Sequence, residues 1–257
     1  MVEQEPVEIT HWKGKLYCRP IPKHYASVED YHNAQLNQDK LILKTLIRGK
    51  QTMKVAFSGS SGSGKTTLVT WLAETTGLQH ISGSAGDVKQ EGDKMIIDDL
   101  LGYPGGGHHG VIAYSALNHT YGVMNQQLLQ VRRQAIIETN DNFVTDRSPA
   151  DNITYFINQC GYFPEVSDAM CQEFFNKCLE AWEGLDYVFY VKAVQPHSVE
   201  VNGSRIANKF YQQAIDVQFE YWIKRLMEKS VIGPVVTFID FWDLDQRKEL
   251  VLKTINS

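Results

Sequence analysis

No stretch of this sequence approaches the roughly 18 apolar residues in a row that cross a bilayer, so no transmembrane helix is expected. Its four cysteines, Cys18, Cys160, Cys171 and Cys178, are too scattered for a disulfide framework and show no CxxC pair for zinc. The opening residues MVEQEPVEIT lack the basic start and apolar stretch of a signal peptide. A reduced, cytoplasmic protein is the expectation. Internal repeats, low-complexity tracts and long Pro/Gly/Ser linkers are also missing, which excludes solenoids and disordered chains. Nor is positive charge in excess. Lys and Arg number 25 against 30 Asp and Glu, a net charge of −5. A protein that coats nucleic acid non-specifically needs more phosphate-neutralising cations than that.

What is present is an ordinary globular composition, 43% hydrophobic over 257 residues, enough for a full three-layer core. Charge is uneven, with a mildly basic arm preceding an acidic body. That arm is either a polyanion contact or a solvated extension. Residues 1–50 read as an N-terminal extension, an irregular arm with a short extended piece at KLYC followed by a helix over 28–49. Residues 51–257 read as one domain. In it, MKVAFSG suits a buried parallel strand. A helix follows over 64–76, then strands over 78–82 and 142–146 separated by a helix over 115–139. Helices over 149–159 and 166–182 precede the strand DYVFYVKAV (186–194). A helix over 208–229, a strand over 235–241 and a helix from 243 to about 255 close the chain. Five strands alternating with helices predict an α/β fold, a parallel sheet flanked by helices. Phe174, Phe175, Trp182, Tyr221 and Trp222 are expected in the core, as are Cys171 and Cys178. The loop PGGGHHG (104–110) reads as a mobile substrate loop, since His108 and His109 lack partners at metal-ligand spacing.

One motif stands out. G-S-S-G-S-G-K-T at 59–66 follows a predicted strand and opens a predicted helix, the context a phosphate-binding loop requires. Gly59, Gly62 and Gly64 let the backbone curl, so that successive N–H groups, those of Ser60, Ser61 and Ser63 among them, face one anion. The helix start at Gly64 adds its positive dipole end, and Thr67 lies in its first turn. Lys65, expected to be exposed in the cleft, reaches the terminal phosphates, and the Thr66 hydroxyl is a ligand for Mg²⁺. A nucleoside triphosphate, ATP, is the expected donor. Asp146 stands at the carboxyl end of a predicted strand, where ligands collect in a parallel sheet. It is the second candidate ligand for Mg²⁺, through water. Arg147 is placed to grip a phosphate, unless the two form only a surface Asp-Arg pair.

The stretch from Asp146 through Arg147, Ser148, Pro149 and on to Tyr155 resembles the Asp-Arg signature of thymidylate kinases, with Thr154 where alanine is usual. The preceding helix LLQVRRQAIIE is similar to that family's helix, whose arginine meets the acceptor nucleotide. Arg147-Ser148 also resembles the Glu-Arg-Ser motif of deoxynucleoside kinases. The resemblance covers residues 52–156 and implies the three-layer P-loop kinase fold: a five-stranded parallel sheet, a P-loop and a mobile lid. It also implies acceptor contacts from Arg132 or Arg133 and from Tyr155. Departures are the spacing of the helix arginines from Asp146, the unmatched region 83–110 and the extra fifty N-terminal residues.

In such kinases a lid follows the fourth strand. There Arg205 is the candidate lid cation with Lys209 second, or Arg205 is an ordinary loop arginine. Arg132 and Arg133 are adjacent in a helix, so one faces the cleft and the other faces away. Asp87 is a candidate general base for an acceptor hydroxyl, or a helix N-cap. Three functions are compatible with these residues. The first is an ATP- and Mg²⁺-dependent kinase of a thymidine/uridine-like nucleoside or nucleotide. The second is a phage-type kinase acting on hydroxymethyluracil in DNA. The third is a P-loop regulatory ATPase, against which stands Arg147 at the position where many ATPases place a glutamate.

Overall fold

The computed structural model describes residues 7–12, 15–20, 52–83, 119–193 and 209–256. The chain divides into two compact units, Met1–Gln51 and Thr52–Ser257. In the first, strands β1 (Val7–Trp12) and β2 (Lys15–Pro20) pair antiparallel, with Ile9 opposite Cys18. The expectation of an irregular arm with one extended piece is corrected here. VEITHW carries enough alternation and β-branching for a strand, and its partner begins three residues after it ends. The helix expected over 28–49 lies outside the described residues.

The second unit contains β3 (Met53–Ser58), α1 (Lys65–Thr76), β4 (Gln79–His80), α2 (His119–Thr139) and β5 (Asn142–Thr145). It continues with α3 (Pro149–Cys160), α4 (Asp168–Glu183), β6 (Tyr187–Val191), α5 (Lys209–Lys229), β7 (Val235–Ile239) and α6 (Leu244–Ile255). The five strands form one parallel sheet in the order β4-β5-β3-β6-β7. This is the α/β fold of five parallel strands flanked by helices, with element bounds within a few residues of those read from the sequence. None of the described helices is long and apolar enough to cross a membrane.

Buried parallel strands must be apolar on both faces, and β3 and β6 show how the faces divide. Ala56, Val188 and Tyr190 point into a cluster with Ile153 and Phe156 of α3, Trp182 of α4 and Phe219 of α5. Their neighbours Val55, Phe57 and Phe189 are equally buried and stand outside that cluster, with the Phe57 and Phe189 rings stacked at 5.1 Å. Phe174, Phe175 and Cys178 are buried, and Cys171 and Trp222 pack half-buried against the same cluster. Tyr221 is the exception, 58% exposed rather than core. The inner face of α5 is set by Ile215, Phe219, Ile223 and Leu226, and Tyr221 lies two residues, about 200° of turn, from Phe219.

The sheet order brings together the ends of β3 and β5, which are remote in sequence but adjacent in the sheet. Ala56 pairs with Thr145, so the loop after β3 and the residues after β5 emerge side by side at the carboxyl edge. Trp182 of α4 is fully buried in the cluster on one face of this sheet. Trp182→Ala is expected to cost about 3–5 kcal/mol of stability, read as a shift in the urea midpoint. A loss below about 1 kcal/mol would show that its pocket collapses freely.

Candidate functional site

The loop between β3 and α1 is a backbone nest. Gly59, Gly62 and Gly64 have φ of 139°, 83° and 94°. Gly59 is required twice over, because a Cβ there would sit 2.3 Å from the Val191 carbonyl oxygen. Gly64 is the N-cap of α1 and offers no side-chain acceptor, so the first-turn amides stay available to an anion. The loop carbonyls, by contrast, are held. Gly59 O and Ser60 O accept from Lys65 Nζ at 2.7 and 2.6 Å. Ser61 O accepts from Gln212 Nε2 at 3.3 Å, and Ser63 O from Arg247 Nη1 at 2.8 Å. Ser60 and Ser63 are buried, Ser61 is half-buried, and Thr66 and Thr67 are exposed. Lys65, expected to be exposed, is only 6% so. Its long side chain curls back over the loop, where two carbonyls and the Ser63 hydroxyl satisfy its ammonium.

Asp146, just past β5, meets this loop. Its Oδ2 accepts from the Thr66 hydroxyl at 3.5 Å, and its Oδ1 from the Gly83 amide at 3.0 Å. A carboxylate and a hydroxyl this close are hard oxygen donors of the kind Mg²⁺ takes alongside waters and phosphate oxygens. No group of three or more His, Cys, Asp and Glu side chains able to hold a metal occurs among the described residues. A metal at this edge therefore fits the Thr66–Asp146 pair, completed by ligand oxygens.

Arg147 is fixed by Asp151, one turn along. Its Nη1 donates to Asp151 Oδ1 at 2.9 Å, and its guanidinium lies 5.7 Å from the Tyr155 ring centre. Asp151 is fully buried, and its Oδ2 accepts from Ser58 Oγ at 2.8 Å and from the Ser148 amide at 2.9 Å. Of the two helix arginines, Arg133 is the buried one and Arg132 is half-buried. Arg133 Nη2 donates to Gly83 O at 3.2 Å, while its Nε and Nη1 have no partner among the described residues. Lys65, Thr66, Asp146, Arg147, Arg133 and Tyr155 thus gather at one edge. Asp87, Arg205 and the 104–110 loop lie outside the described residues.

Four contributors went unassigned in the sequence. Asp151 was detectable, because Ser148-Pro149-Ala150-Asp151 is a capping box with proline at the first helical position, and both of its reciprocal bonds form. Gln212 and Arg247 carry no local signal, since each has polar neighbours on its helix and nothing in the sequence singles it out. Asp216 is buried on α5 and accepts from the Ala193 amide at 3.0 Å.

The comparisons with known proteins fit this geometry. A family model described as an AAA domain matches residues 54–179. Deoxyadenosine kinase from M. mycoides with bound dATP superposes with a TM-score of 0.52 at 16% identity, over 80% of this chain and 100% of that one. The same enzyme with bound dCTP gives 0.50 at 16% identity, over 79% and 99%. The chain has a P-loop kinase-like fold. No curated protein matches it in sequence.

Burial pushes the Lys65 ammonium down to about 7, aided by the charge of Arg147 and opposed by Asp151, Asp146 and Asp216. The folded value lies below the ordinary 10.5, so the unfolded chain binds more protons between about 7 and 10.5. Stability from this group therefore rises with pH across that window and is lost as pH falls through about 7. A polyphosphate beside Lys65 restores its charge. Binding of Mg²⁺–tripolyphosphate at pH 8 is therefore expected to take up a proton, measured by calorimetry in buffers of different ionisation enthalpy. Lys65→Met should abolish the uptake, and proton release by the unaltered chain would contradict the lowered value.

Proposed function

We propose that this chain is an ATP- and Mg²⁺-dependent phosphotransferase of the nucleoside/nucleotide kinase type, with a thymidine- or uridine-like (deoxy)nucleoside or (deoxy)nucleotide as acceptor. The observation that carries this reading is the convergence of the uncapped first turn of α1, the Thr66–Asp146 oxygen pair and the Arg147 guanidinium on one sheet edge. Phosphoryl transfer asks a protein mainly for positioning and charge neutralisation, and these groups supply both. The acceptor oxygen forms a bond to the γ-phosphorus as the bond to the β–γ bridging oxygen breaks, and ADP leaves with that electron pair. Thr66 and Asp146 are the residues that would hold Mg²⁺, which would supply charge neutralisation to the triphosphate.

In this reading Lys65 exchanges loop carbonyls for phosphate oxygens, and Arg147 grips the moving phosphoryl group. Arg205, outside the described residues, is the cation proposed to neutralise the transferring phosphoryl group beside Arg147. The two unpartnered donors of Arg133 suit oxygens on the acceptor, with Tyr155 beside them. Asp87 accepts the proton of a hydroxyl acceptor, and an acceptor that is already a phosphate needs no base. A cation at position 147, rather than a water-activating glutamate, supports transfer over hydrolysis. Bound dATP and dCTP in the similarly folded kinase agree with a nucleotide ligand. The polymer-kinase and hydrolytic readings gain no comparable support from the described residues.

Labelled γ-phosphate offered with a panel of nucleosides and monophosphates is expected to reach at least one of them. Asp146→Asn should lower that transfer by about 10²-fold. Rapid ATP hydrolysis that no acceptor alters would instead identify an ATPase. Asp151→Asn keeps oxygen and shape at the Ser58 and Ser148 contacts but removes the charge facing Arg147. It is expected to lower kcat by roughly 10–100-fold with donor KM little changed, as outer partners of a reacting group do. An unchanged kcat would dissociate Asp151 from the chemistry.

A further inference from the structure

Gly83 is a buried residue just past β4, beside the end of β5. Gly59, Gly62, Gly64 and Gly77 have positive φ, whereas Gly83 does not, so backbone conformation alone requires no glycine there. Space does. A Cβ on Gly83 would lie 2.7 Å from Arg147 Cβ, 2.8 Å from Thr145 Oγ1 and 3.2 Å from Arg147 Cγ. None of these atoms retreats cheaply, because Thr145 is buried in β5 and the Arg147 guanidinium is tied to Asp151.

The close approach serves a hydrogen bond that the sheet does not need. The Ile81 N–H donates to the Val144 carbonyl at 3.0 Å, which extends the parallel ladder past the end of β4. With a period of two residues, the ladder would next send the Gly83 N–H to the backbone carbonyl of Asp146. It goes instead to the Asp146 side chain, where Oδ1 accepts it at 3.0 Å. From the other side, Arg133 Nη2 of α2 donates to the Gly83 carbonyl at 3.2 Å and braces the residue in place. A carboxylate turns readily about its last torsion, and an amide bonded to one oxygen opposes that rotation. With Oδ1 held, Oδ2 is left facing the Thr66 hydroxyl, 3.5 Å away.

We propose that Gly83 is a positioning residue for the metal-side carboxylate. Its amide fixes Asp146 so that Oδ2 and the Thr66 hydroxyl together face the place of Mg²⁺, and its lack of a side chain lets the amide come that close. The proposal rests on Thr66 and Asp146 being the pair that would hold Mg²⁺, and it extends that reading to the residue that orients the pair.

The test is calorimetric binding of inorganic tripolyphosphate to the full chain, with and without Mg²⁺, which needs neither acceptor nor turnover. The ratio of the two affinities reports what the metal pair contributes, and Asp146→Asn sets its floor. Gly83→Ala forces the segment off Asp146 and is expected to lower the ratio roughly tenfold towards that floor, with metal-free binding within about twofold. A second variant replaces Gly83 by glycolic acid, so that an ester stands in place of the Ser82–Gly83 amide. It removes the N–H and adds no bulk, and it decides the question even if Gly83→Ala folds poorly. A ratio lowered in the ester variant, with metal-free binding kept, supports the assignment. An unchanged ratio there overturns it, since any effect of Gly83→Ala would then report crowding alone. If Asp146→Asn itself leaves the ratio unchanged, the metal reading of Thr66 and Asp146 fails and this inference fails with it.

Discussion

Everything at the carboxyl edge of this sheet depends on the orientation of one loop's peptide groups. A peptide that turns its N–H inward must turn its C=O outward, and a buried carbonyl without a partner is costly. Here the outward carbonyls of Gly59, Ser60, Ser61 and Ser63 are bonded by Lys65, Gln212 and Arg247. Gln212 comes from α5 and Arg247 from α6, both more than a hundred residues downstream. The loop's own glycines permit the nest, but distant helices hold it in that shape. This is how a sequence rich in Gly and Ser, which alone would be flexible, becomes a preorganised anion site.

A second constraint ties the two halves of the site together. Asp151 spends both carboxylate oxygens inside the protein, one on Arg147 and the other on Ser58 and the Ser148 cap. Ser58 is the last residue of β3, directly before the loop. The carboxylate therefore fixes the root of the glycine-rich loop and the Arg147 guanidinium at once. A buried charge with one arginine and several hydrogen bonds is well compensated, and removing any partner leaves the rest exposed to a low dielectric. Such a group transmits small displacements between its neighbours, as a site built from two loops on adjacent strands requires.

The sequence was legible wherever the signal was local. The apolar runs at MKVAFS and YVFYV, the GSSGSGKT loop and the Asp-Arg strand end each declare themselves within ten residues. The parallel sheet and its helices follow from their alternation. Tyr221 was misread because an amphipathic helix with aromatics on two faces leaves the phase of its inner face ambiguous until Phe219 is seen packed. The first hairpin was half-read because strand pairing between VEITHW and KLYCRP is a relation between segments, not a property of either. Lys65 was placed in solvent because a motif describes the loaded loop and says nothing of where a long side chain goes among its own carbonyls. Gln212, Arg247 and Asp216 share one cause. Their partners are backbone groups remote in sequence, and no spacing rule encodes that.

The pattern of compensation among the buried charges indicates where negative charge is still wanted. Arg147 faces a carboxylate at hydrogen-bond distance, whereas Lys65 and Arg133 hydrogen-bond only to neutral oxygens among the described residues. Burial opposes the charge of both, and pushes each downward from its ordinary value. A protein seeking stability alone would replace such groups with apolar ones, since unpaired buried cations cost more than they return. Keeping two of them near the uncapped start of α1 makes sense if anionic oxygens arrive to settle the imbalance. The same buried placement that weakens each cation on its own strengthens its attraction for phosphate once water is excluded.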